Sequence, residues 1–120
     1  MVRRLVVTLL GLAALGLMAS GAAAAPAAQM TTAAVGMKDS LFDPPAIAVP
    51  VGTSVTWTNG GALPHTVTAD DASFDSGTVA AGATFSKTFD TAGTFAYHCT
   101  FHGSPGTGMA GTIIVKAPAT

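Results

Sequence analysis

Gly93-Thr94-Phe95-Ala96-Tyr97-His98-Cys99-Thr100-Phe101-His102 alternates apolar and polar side chains before it meets a run of glycines. In an extended strand successive side chains point to opposite faces. Phe95, Tyr97 and Cys99 therefore share one face, and Thr94, Ala96 and His98 share the other. Cys99 ends the core-facing stripe, whereas His98 points away from it. Three positions on, His102 completes a Cys-x-x-His spacing, and Gly103-Ser104-Pro105-Gly106-Thr107-Gly108 leads into Met109. The chain holds one cysteine and three histidines, the third being His65 in Leu63-Pro64-His65-Thr66-Val67.

Working outward, the sequence reads as short strands punctuated by Gly, Pro and Asp turns, the pattern of an all-β sandwich. Thr31–Met37 is a first, weakly patterned strand. Pro44 and Pro45 lack backbone donors, so the segment around Phe42 cannot continue as a paired central strand. Ala46–Val49 resumes an extended run, and Thr53–Asn59 sets Val55 and Trp57 against Ser54, Thr56 and Thr58. That period of two marks a strand with one buried face. Asn59-Gly60-Gly61 ends it. His65–Ala69, Phe74–Gly77, Ala83–Phe89, Thr94–Cys99 and Thr112–Lys116 are the remaining expected strands, with a frayed tail from Ala117. No amphipathic helical stretch, repeat or linker interrupts them.

The start of the chain is different in kind. Arg3 and Arg4 precede an uncharged apolar run from Leu5 to Met18, followed by small residues through Ala25. This order is that of a secretory signal, expected over residues 1–28 with cleavage within 24–28. At about 14 residues the apolar run falls short of the roughly 20 that a spanning helix needs. No cysteine stands at the cleavage zone to take a lipid. The domain is then residues 29–120, exported to the periplasm or beyond the cell, with no membrane span in its mature form. Beyond the signal the chain carries three lysines, six aspartates and no arginine, a formal charge of −3. Nucleic-acid binding needs a basic footprint and is excluded. A lone cysteine in an exported protein is a reactive thiol, an intermolecular bridge or a ligand.

The donor set favours the ligand. A thiolate, two imidazoles and a thioether suit copper, in which two His and one Cys bind trigonally and a Met stands at longer axial distance. Structural zinc wants four closed donors, usually several cysteines, and Met is not among its usual ligands. A cysteine nucleophile would need an accessible thiol beside a base, whereas Cys99 faces the core. His65, Cys99, His102 and Met109 are thus the candidate ligands of one copper ion.

These residues lie within longer motifs. Phe42-x-Pro44-x-x-Ile47-x-Val49, Gly52-x-x-Val55-x-Trp57-x-Asn59, Pro64-His65-Thr66-Val67, Gly93 to His102, and Gly108-Met109-x-Gly111-Thr112-Ile113-x-Val115 together resemble the cupredoxins of the plastocyanin and amicyanin type. The resemblance covers essentially the whole mature region. It implies a Greek-key β-sandwich of about seven to eight strands, with His65, Cys99 and His102 as equatorial ligands and Met109 as the axial one. It also implies a small blue-copper electron-transfer protein, not an enzyme, and acting as a monomer. Three departures stand out: six residues separate His102 from Met109, Phe101 stands where a proline is common, and Thr66 stands where an asparagine often follows the first histidine. The Thr66 backbone N–H is expected to donate to the Cys99 sulfur, and its hydroxyl to bond Thr100.

The electron would pass through the edge of His102, ringed by Leu63, Pro64, Phe101, Pro105 and Ala110, an apolar patch suited to brief docking of redox partner proteins. Asp70, Asp71 and Asp75 form either a solvated turn or an acidic patch that steers a basic partner. A second functional class, extracytoplasmic copper storage or delivery, is motivated by the same donors and by the long interval before Met109. Multicopper oxidase chemistry would need His-x-His pairs, and a two-copper electron-transfer centre would need two ligand cysteines; neither is present.

Overall fold

The computed structural model describes residues 31–118. The expected signal segment 1–28 lies outside them. Eight strands follow in chain order: β1 (Thr32–Met37), β2 (Phe42–Asp43), β3 (Ala46–Pro50), β4 (Thr53–Asn59), β5 (Thr68–Ala69), β6 (Thr84–Phe89), β7 (Gly93–Ser104) and β8 (Thr107–Lys116). They form two four-stranded sheets, ordered β2-β1-β4-β6 and β3-β8-β7-β5. The chain crosses repeatedly between sheets. As a result β1 lies parallel to β4 and β3 parallel to β8, while the other pairs are antiparallel. This is the expected Greek-key sandwich.

Alternation decides which faces meet. In β4, Thr53, Val55, Trp57 and Asn59 are buried while the residues between them are not. In β7, Tyr97 and Cys99 turn inward, and in β8 Met109, Gly111, Ile113 and Val115 do so. Trp57 sits at the centre of the core, 5.4 Å from the Tyr97 ring in an edge-on contact. Tyr97 in turn meets Phe42 at 4.7 Å, and Phe89 closes on Phe74 and Phe95. Such edge-to-face pairs add to the burial of large apolar side chains, each worth about 1.5–3 kcal/mol. The buried Thr53 hydroxyl is satisfied by the Pro50 carbonyl at 2.7 Å.

Three expectations are corrected. Phe74–Gly77 is not a strand: only Asp75 of that segment bridges to Thr68, and the ladder goes no further, the Val67 N–H being taken by Ser76 Oγ and the Gly77 N–H by Asp75 Oδ1. His65–Ala69 is shorter than expected, with His65 forming an isolated bridge to Val79 and only Thr68–Ala69 in the sheet. The expected glycine-rich loop after Cys99 is instead a continuation of β7 and β8 as a hairpin, with Gly103 opposite Gly108 and Ser104 opposite Thr107.

Candidate metal centre

His65 is held by its own backbone before its side chain does anything. Its N–H donates to the Val79 carbonyl at 3.1 Å, and its carbonyl accepts from the Val79 N–H at 2.7 Å. Asn59, at the end of β4, braces the same loop. Its Nδ2 donates to the Leu63 and Val79 carbonyls at 2.8 and 3.0 Å, and its Oδ1 accepts from Gly61 at 3.0 Å. Asp39 caps the loop from outside, accepting from the Ala62 N–H at 2.7 Å and the Leu63 N–H at 3.3 Å.

Cys99 and His102 come from β7. In a regular strand residues three apart face opposite ways. A register irregularity between His98 and Gly103 resets the alternation, so that both donors face the same point. Beyond it the hairpin turns at Ser104-Pro105-Gly106-Thr107, with Gly106 at φ 70° after a proline, the residue order of a type II turn. Close approach explains two further glycines. A Cβ on Gly103 would lie 2.5 Å from the Met109 carbonyl oxygen, and one on Gly108 would lie 2.7 Å from that of His102. The six residues before Met109 are thereby folded away in a tight hairpin, and Met109 is buried near His65, Cys99 and His102.

The three nitrogen and sulfur donors form a closed triangle. His65 Nδ1 and His102 Nδ1 are 3.2 Å apart, and Cys99 Sγ lies 3.7 Å from the first and 3.6 Å from the second. The point equidistant from all three is about 2.0 Å from each, the length of a metal–imidazole bond and slightly short of a metal–thiolate bond. Two imidazole nitrogens and a sulfur crowded this closely, with no oxygen donor among them, fit a soft-to-borderline metal ion. The Thr66 N–H points at the Cys99 sulfur at 3.4 Å, as expected. Thr66 Oγ accepts from the Thr100 N–H at 2.9 Å and lies 3.3 Å from Thr100 Oγ, which ties the two ligand segments together.

His65 and Cys99 are fully buried, and His102 is half-buried. Burial, and next the charge of His102, hold His65 below the usual imidazole range; the Asp39 carboxylate and the Lys38 backbone oppose this weakly. The neutral ring is the metal-binding form, so the fold keeps His65 ready to bind.

His98 is not in the cluster. It hydrogen-bonds Asp70 at 2.6 Å on the outer face of the sheet, as strand parity requires. Leu63 and Phe101 are exposed beside the site, with the Phe101 and His102 rings 6.3 Å apart. Ala110, expected at the same rim, pairs with His98 and lines an outer groove with Asp70, Ala96 and Thr112. Asn59 and Asp39 escaped sequence reasoning as bracing residues. The only signal was Asn59-Gly60-Gly61, which reads as a strand terminator.

The sequence model of the Cupredoxin-like domain matches residues 11–115. Plastocyanin of Scenedesmus fuscus is 36% identical over 87 residues, which is 63% of this chain and 87% of that protein. Amicyanin of Paracoccus denitrificans is 34% identical over 80 residues, 62% of this chain and 58% of that protein. Among solved structures, a purple cupredoxin from Nitrosopumilus maritimus superposes with a TM-score of 0.61 at 28% identity, covering 70% of this chain and 99% of that one.

Proposed function

The chain belongs to the cupredoxin family, and from that premise we propose that it is an exported one-electron carrier whose copper is held by His65, Cys99 and His102, with Met109 as a weaker fourth donor. Copper, one ion per chain, is the cofactor of this family. The observation that carries the ligand assignment is the donor triangle, whose centre lies at bonding distance from two Nδ1 atoms and one Sγ. Bound copper supplies a Cu(II)/Cu(I) couple that exchanges one electron without making or breaking a covalent bond of the protein.

The residues do the rest. Backbone bridges at His65 and the strand at Cys99 hold two donors rigidly, so little rearrangement accompanies a change of charge. The Thr66 N–H, aimed at the sulfur, stabilises the thiolate and sets its direction. Of the three donors in the triangle only His102 reaches towards solvent, and its ring edge is the route for the electron. Exposed Leu63 and Phe101 beside it form an apolar contact for a redox partner protein, small enough for rapid release. The protein acts outside the cytoplasm, in keeping with the signal-like start of its sequence, and as a monomer, as the family resemblance implies. The hairpin accounts for the long interval before Met109, one of the two grounds for the copper-delivery alternative; the other, the donor set, is common to both readings.

Adding Cu(II) to the metal-free protein tests this reading. An intense visible thiolate-to-copper band that disappears on reduction and returns on oxidation supports a carrier. A colourless protein that retains only Cu(I) overturns it. Cys99→Ser is expected to abolish the band and His98→Ala to leave it.

A further inference from the structure

Thr68 and Asp75 lie outside the ligand set, yet a continuous line of hydrogen bonds joins them to it. Thr68 Oγ donates to Asp75 Oδ1 at 3.1 Å. Thr68 Oγ is also 2.9 Å from Thr66 Oγ, and Thr66 Oγ receives the Thr100 N–H at 2.9 Å. An ionised carboxylate only accepts. The Thr68 hydroxyl proton is therefore committed to Asp75, which leaves the Thr68 oxygen as acceptor for the Thr66 hydroxyl. The Thr66 proton is then committed as well, and its oxygen can only accept from Thr100. One direction is left for the whole chain: Thr100 N–H to Thr66, Thr66 to Thr68, Thr68 to Asp75.

We propose that Asp75 is a positioning residue for the metal centre, fixing through Thr68 and Thr66 the orientation of the Thr100 peptide next to Cys99. Without the carboxylate the Thr66 hydroxyl is free to turn and donate towards Thr100 Oγ, 3.3 Å away, and the chain loses its single sense. Hydrogen bonds in series polarise one another, so the charge at Asp75 strengthens the link at Thr100. Asp75 is itself anchored, accepting the Gly77 N–H at 2.9 Å. This removes Asp75 from the set of aspartates that are merely solvated or available for steering. The inference rests on the proposed metal site.

Nuclear magnetic resonance of the metal-free protein reads the link directly at the Thr100 amide, which neither Thr68 nor Asp75 touches. Thr68→Val and Asp75→Ala are each expected to shift that resonance upfield and speed its hydrogen exchange. Their double variant is expected to go no further than the larger single effect, because both break one chain. Asp75→Asn, which keeps an acceptor for Thr68 and Gly77 but loses the charge, is expected to fall between wild type and Asp75→Ala. In the Cu(II)-loaded proteins the visible band is expected to move in the same rank order. A Thr100 amide unmoved in both single variants, or fully additive shifts in the double variant, overturns the proposal alone. A wild-type protein that forms no coloured copper complex overturns the metal reading, and this proposal with it.

Discussion

Asn59 offers the sharpest test of how the fold holds His65. The side chain is buried, and its amide donates to the Leu63 and Val79 carbonyls at 2.8 and 3.0 Å while accepting from Gly61 at 3.0 Å. Asn59→Ala removes all three bonds. Val79 keeps the His65 N–H as donor, so the Leu63 carbonyl and Gly61 N–H are the groups left short. At about 1 kcal/mol for each lost bond, with an added penalty for a polar group left unpaired, the expected destabilisation is about 2–4 kcal/mol. With a urea m-value of about 1–3 kcal/mol/M, that moves the unfolding midpoint of the metal-free protein by about 0.7–4 M.

Asn59→Asp separates hydrogen bonding from shape. The new carboxylate keeps the volume and the Gly61 contact but sets an acceptor against two carbonyl oxygens. It is expected to cost at least as much as alanine at pH 7. Its folded-state pKa is raised, because the ionised form faces no donor in place of Nδ2. Its penalty is therefore largest at neutral pH and shrinks as pH falls through that raised value towards 4, where the protonated acid can donate to one carbonyl. Urea unfolding of wild type, Asn59→Ala and Asn59→Asp at pH 7 and pH 4.5 decides the matter. An Asn59→Asp protein as stable as wild type at pH 7, or an alanine cost below about 0.5 kcal/mol, would refute the bracing role.

Tyr97 is buried with no hydrogen-bond partner for its hydroxyl, and burial, only slightly offset by Trp57, raises its pKa to about 12. The unfolded phenol ionises near 10, so stability is intact below that pH and is lost as pH rises from about 10 to 12. Tyr97→Phe should remove this alkaline slope in thermal melts and leave stability at pH 7 unchanged or higher by about 1 kcal/mol. Gly106 and Gly108 both have positive φ, but only Gly108 would bring a Cβ against backbone. Gly106→Ala should cost about 1 kcal/mol and leave copper binding intact, whereas Gly108→Ala should cost more and weaken the site, as denaturant unfolding and copper titration would show.

The strand pattern was legible because it depends on local alternation. Val55 and Trp57 mark the buried face of β4, and the parity of Phe95, Tyr97 and Cys99 rightly sent His98 outward to Asp70. The hairpin was not legible, because the register reset between His98 and Gly103 is created by pairing with β8 and not by any residue within β7. Phe74–Gly77 has strand-like composition, yet Asp75 and Ser76 spend their side chains on backbone groups and break the ladder. Asn59 and Asp75 were missed because their partners lie across the fold or along side chains that spacing cannot place. Thr66 was the exception: the family resemblance anticipated its ties to Cys99 and Thr100.

X-ray absorption at the copper edge, in both oxidation states of the loaded protein, tests the central claim most directly. The donor triangle predicts two nitrogen scatterers and one sulfur, all at roughly 2.0–2.3 Å and nearly unchanged on reduction. Loss of the sulfur in Cys99→Ser completes the assignment. A first shell of nitrogen and oxygen alone, or one that rearranges when the copper is reduced, would contradict it.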